Sequence, residues 1–139
     1  MKRTLLFIVI FQILCLGMLA QKGLAVQAAF DELAVEKNAT EVLLGPGRLK
    51  EYHLSLFHSL EIKRPSTSQQ QRIEALVQKD AAQALLHEET AGHSLYELPQ
   101  RKGMHCYIFY RCTDQSLILM YIEGKATLKQ IKSYFLKQS

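Results

Sequence analysis

Two stretches late in the chain, residues 104–112 and 117–123, are dense in aromatic and aliphatic side chains and are joined by the polar tetrapeptide Thr113-Asp114-Gln115-Ser116. That pattern predicts a β-hairpin. Side chains alternate between the two faces of a strand. Here both faces come out apolar: Cys106, Ile108 and Tyr110 oppose Tyr107 and Phe109, while Leu117, Leu119 and Tyr121 oppose Ile118, Met120 and Ile122. An antiparallel sheet with one face in water alternates cleanly between apolar and polar residues. The hairpin therefore needs cover on both faces, from helices of its own chain or from a partner, a second copy of the chain included.

The sequence supplies helices. Ile73, Leu76, Val77, Ala81, Ala84 and Leu85 recur at helical spacing behind Ser66-Thr67-Ser68-Gln69, a capping box, and predict a helix over 66–86. Val26, Ala29, Phe30 and Leu33 form the apolar face of a helix within 23–37. Leu128, Ile131 and Phe135 form that of a terminal helix behind a second box, Thr127-Leu128-Lys129-Gln130. Shorter strands are expected at 40–44, closed by Gly45-Pro46-Gly47, at 59–63 after a short helical turn, and at 94–98. The expected architecture is α+β: a small antiparallel or mixed sheet with helices packed on it, in the order α-β-short α-β-α-β-β-β-α. One domain spans residues 21–139.

Residues 1–20 stand apart. Lys2 and Arg3 precede an apolar run from Leu5 to Ala20, and 15 of the first 20 residues are hydrophobic. This is the layout of a secretory signal peptide, with cleavage expected after Ala20. Cleavage after Ala25 places a small residue, Gly23, at −3 but lies far from the apolar run. The run spans 16 residues, short of the roughly 20 that a membrane-crossing helix needs. Without Lys2 and Arg3, 15 basic residues face 13 acidic ones, so nucleic-acid binding has no compositional support. The expected location is exported, periplasmic or secreted, and the processed chain is not expected to be an integral membrane protein.

Particular segments resemble a family of small, uncharacterised exported proteins of Bacteroides-group bacteria. They are the leader, Thr40-Glu41-Val42-Leu43-Leu44, Ser59-Leu60-Glu61-Ile62, and Tyr121-Ile122-Glu123-Gly124-Lys125-Ala126-Thr127-Leu128. The resemblance implies a Gram-negative envelope location and an α+β sandwich. It carries no activity onto any residue.

No catalytic, cofactor or metal site is expected. His53, His58, His87, His93 and His105 lack metal-ligand spacing and read as scattered surface residues. His105 and Cys106 are adjacent, so a strand points them to opposite faces. Cys106 and Cys112 sit six residues apart in one strand, roughly 20 Å between Cα atoms at about 3.3 Å per residue, too far for a disulfide. Cys106 has apolar neighbours that raise a thiol pKa; Cys112 is the more accessible. Glu88-Glu89 is expected at the C-terminus of the long helix, against the helix dipole. Gly45-Pro46-Gly47-Arg48 lacks the spacing of a phosphate loop. Asn38-Ala39-Thr40 is a glycosylation sequon that matters only in a eukaryotic source.

Charge singles out the terminal helix. Lys125, Lys129 and Lys132 lie at i, i+4 and i+7, with no acidic residue after Glu123. They are the candidate contact with an anionic surface or an acidic envelope partner. The functional expectation is a non-enzymatic, exported envelope binding module. The alternatives are a metal binder or enzyme using His105, Cys112 or the other histidines, and a self-associating subunit.

Overall fold

The structure, a computed structural model, describes residues 23–90 and 92–135. The expected signal peptide and both cleavage choices' leader residues up to 22 lie outside the described residues. The elements run α1 (Val26–Leu33), β1 (Ala39–Leu44), α2 (Pro46–Leu49), a 3₁₀ turn (Lys50–Tyr52), β2 (Leu54–Lys63), α3 (Thr67–Ala81), β3 (Leu86–Thr90), β4 (His93–Arg101), β5 (Met104–Cys112), β6 (Ser116–Gly124) and α4 (Leu128–Phe135). The fold is α+β. One six-stranded, fully antiparallel sheet has the order β1-β2-β6-β5-β4-β3.

The β5–β6 hairpin lies at the centre, with β2 on one side and β4 on the other. Its two apolar faces enter two separate cores. On the first face α1 and α3 pack over Leu60, Ile62, Ile108, Leu117, Leu119 and Tyr121. On the second, Leu49 of α2 and Ile131 of α4 cover Leu54, Tyr107, Phe109 and Ile122. The cover comes from the chain's own helices on both faces. Burying side chains of this size stabilises the fold by roughly 1.5–3 kcal/mol each, which is why short helices suffice as lids.

Local chemistry fixes each turn. Ser66 Oγ accepts from Gln69 N at 3.1 Å and Gln69 Oε1 accepts from Ser66 N at 2.9 Å, the expected box. Lys102 and Gly103 both have positive φ, 52° and 75°, as a two-residue hairpin turn between β4 and β5 demands. The expected loop at 99–103 is therefore mostly strand, with the ladder irregular between Leu98 and Arg101, around Pro99.

Three boundaries differ from expectation. The long helix ends at Ala81, not 86, and a strand absent from the sequence reading, β3, follows. Leu85 N donates to Glu97 O at 2.7 Å, so β4 captures the chain before another helical turn forms. Glu88 and Glu89 consequently sit in an edge strand, and no helix dipole acts on them. Strand β2 begins at Leu54 rather than 59, because β1 and β6 pair with it on both sides.

Candidate functional site

The three lysines do not form one helix face. Lys125 precedes α4, where its Nζ donates to Gly103 O at 3.1 Å. Lys132 is ion-paired with Glu88 of β3. Lys129 is exposed. Thr127 and Gln130 exchange the expected capping bonds, so α4 starts one turn later than a Lys125–Lys132 stripe requires.

The histidines are dispersed, but two of them are buried rather than on the surface. His58 is 3% exposed, stacks on Phe30 with centroids 3.7 Å apart, and meets Glu41 Oε2 at 2.7 Å through Nε2. His93 is buried beside Phe109. His87 stacks on Tyr96, and His105 Nδ1 lies 3.7 Å from Glu97. Among the described residues no three His, Cys, Asp or Glu side chains converge as metal ligands would.

Cys106 and Cys112 are both free thiols, Cys106 buried and Cys112 half-buried. Burial pushes the Cys106 thiol up, with the Glu123 carboxylate adding to the effect. Such a thiol is a poor nucleophile at neutral pH. Asn38 is bound reciprocally to Gln69 through two 3.1 Å bonds, and its Nδ2 also donates to Lys63 O. A glycan on that nitrogen would break this arrangement.

Among the described residues an apolar concavity lies on the second face. A groove of about 270 Å³ runs between the 3₁₀ turn, β2 and the end of α4, lined by Leu44, Leu49, Tyr52, Leu54, Phe57, Tyr134 and Phe135. Among the described residues no charged side chain lines it. Tyr52 meets Tyr134 edge-on at 5.4 Å, and Phe57 stacks on Phe135 at 5.8 Å, so aromatic pairs hold α4 against the sheet. Ligand sites are mostly apolar hollows with a few polar groups placed at the margin. Here the margin is a second hollow of about 440 Å³ that includes Lys50, His53 and Lys125, and Leu54 lines both.

The sequence singles out Lys125 and gives no sign of the groove. Tyr52 and Phe57 stand ahead of the strand expected at 59–63, and nothing in their spacing shows that they meet residues more than seventy positions later. The doubled apolar faces of the hairpin were the available signal, since they demanded a lid such as α4.

A family of unknown function, DUF6108, matches residues 13–135. The chain belongs to this family. The DUF6108 match starts within the N-terminal apolar run and reaches Phe135 of α4, so every element that builds the groove falls inside it. No curated protein matches the chain. Among the described residues no helix is long and apolar enough to cross a membrane.

Proposed function

We propose that this chain is an exported protein of the Gram-negative envelope, in Bacteroides-group bacteria, whose folded domain acts by binding an apolar ligand in the aromatic groove. The groove is the observation that carries the reading: a hollow lined, among the described residues, by aliphatic and aromatic side chains, with Tyr52 47% accessible. Export is supported by Lys2-Arg3, the apolar run and Ala20. Cleavage after Ala20 is favoured over Ala25 because Asp80 accepts from Ala25 N and Val26 N, each at 2.8 Å, and Leu24 packs against the first core. The later cut would strip that packing.

Two measurements test the reading. Intact mass of the native chain should place its first residue at Gln21, in the periplasmic or secreted fraction; a full-length chain in the cytosol contradicts export. Nile red, a neutral apolar dye, should bind the processed wild type with blue-shifted emission, and Tyr52→Asp should abolish the shift. Equal emission from the two proteins contradicts the groove.

A further inference from the structure

We infer that the groove's ligand is a free fatty acid, its chain along the aromatic pairs and its carboxylate in the basin of Lys50, His53 and Lys125. The inference rests on the groove reading and specifies its ligand class. Three features lead to it. First, the groove is narrow. A third ring inserted between two others needs roughly twice the ordinary centroid separation. The Tyr52–Tyr134 and Phe57–Phe135 centroids stand at one contact distance, 5.4 and 5.8 Å. Nothing inserts between rings already in contact, so a ligand lies along the pairs, as a slim polymethylene chain does. Second, the volume of about 270 Å³ lies at the bottom of the usual range for ligand pockets, which suits one chain and not the paired chains of a phospholipid.

Third, the charge is one-sided. Among the described residues the adjoining basin is lined by two lysines and a histidine and by no carboxylate; Glu51, next to Lys50 in sequence, lines neither hollow. Leu54 forms part of both, so an apolar chain leaving the groove over Leu54 delivers its end to the two lysines. The basin is also fixed in shape. Gly124, in its wall, sits so close to β2 that a Cβ there would lie 2.6 Å from His53 O and from Leu54 Cα. Lys125 N and Ala126 N both donate to His53 O, at 2.9 and 3.0 Å, which ties the basin's two halves together. An anionic head therefore meets a preformed cationic margin while its tail leaves water.

The experiment is calorimetric titration of the processed chain with laurate and with neutral dodecyl maltoside, both below their micelle concentrations. Wild type should bind laurate at least about tenfold more tightly, the scale of two partly exposed charge contacts. Lys50→Gln with Lys125→Gln should erase that preference, and Tyr52→Asp should weaken both ligands. Each replaced side chain is exposed, and unchanged thermal melting confirms the fold of each variant. Equal binding of both amphiphiles by wild type overturns the fatty-acid inference and leaves the groove reading standing. Laurate binding that survives Tyr52→Asp places the site elsewhere and overturns the inference. Failure of both amphiphiles to bind overturns the inference and the groove reading together.

Discussion

Gly124 and Tyr107 show how single residues hold the second face. A Cβ at Gly124 meets backbone on both near sides, which no rotamer change relieves. Gly124→Ala should therefore destabilise the domain by about 3 kcal/mol, at the upper end for overpacking. Urea unfolding checks this; a loss under about 1 kcal/mol would show that the backbones can part. Tyr107 is fully buried and its hydroxyl donates to Ala126 O at 2.8 Å, pinning the turn that leads into α4. Burial is the main cause that pushes its pKa from 10.0 up to about 12. The fold favours the neutral hydroxyl, so the unfolded tyrosine ionises first as pH rises. Its contribution is complete below about pH 10 and is lost on the way to 12. Tyr107→Phe should cost about 1 kcal/mol at pH 8 and flatten the decline in urea midpoint between pH 10 and 12. An unchanged alkaline decline would show that Tyr107 does not drive it. Tyr107 was legible in the sequence as a core residue. Gly124 stood out only as one residue of the segment 121–128, because a close backbone approach leaves no trace in spacing.

At the scale of elements, α1 depends on a residue 54 positions away. Asp80, in the last turn of α3 and 8% exposed, gives both carboxylate oxygens to the first amides of α1. It thus serves as the N-terminal cap that Ala25, with no polar side chain, lacks. Asp80→Ala should cost about 2 kcal/mol, since two buried amides lose charged acceptors. Hydrogen exchange at Ala25 and Val26 should speed up well before exchange in β5 and β6 does. Uniform acceleration would mean that α1 does not open as a separate unit. The apolar stripe of α1 was readable from period alone, but its cap was not, because capping boxes are local and this one is made by tertiary contact. The same limit hid β3. Leu86-His87-Glu88-Glu89-Thr90 is a polar edge strand with no alternation, and Ala84 and Leu85 continue the helical spacing of Ile73 and Leu76. Its pairing with β4 overrides that spacing.

For the whole molecule, the decisive property is a central hairpin with two apolar faces, clothed by α1 and α3 on one side and by α2 and α4 on the other. That requirement was legible from residues 104–123 alone. Which helix covers which face was not, because the path from β2 through α3 to the opposite edge strand β3 is a matter of topology. The lysines show the same limit: their spacing was visible, but Lys132's partner Glu88 lies on a strand the sequence concealed. The groove lies where α4 meets the sheet through Ile131 and a few aromatic contacts, beside the 3₁₀ turn. The most direct test of that groove as the working surface is an intermolecular nuclear Overhauser measurement on the processed chain with bound laurate. Contacts should run from the laurate methylenes to the ring protons of Tyr52, Phe57, Tyr134 and Phe135, with the carboxyl end nearest Lys50 and Lys125; contacts confined to the first face, or to the outer edges of β1 or β3, would contradict it.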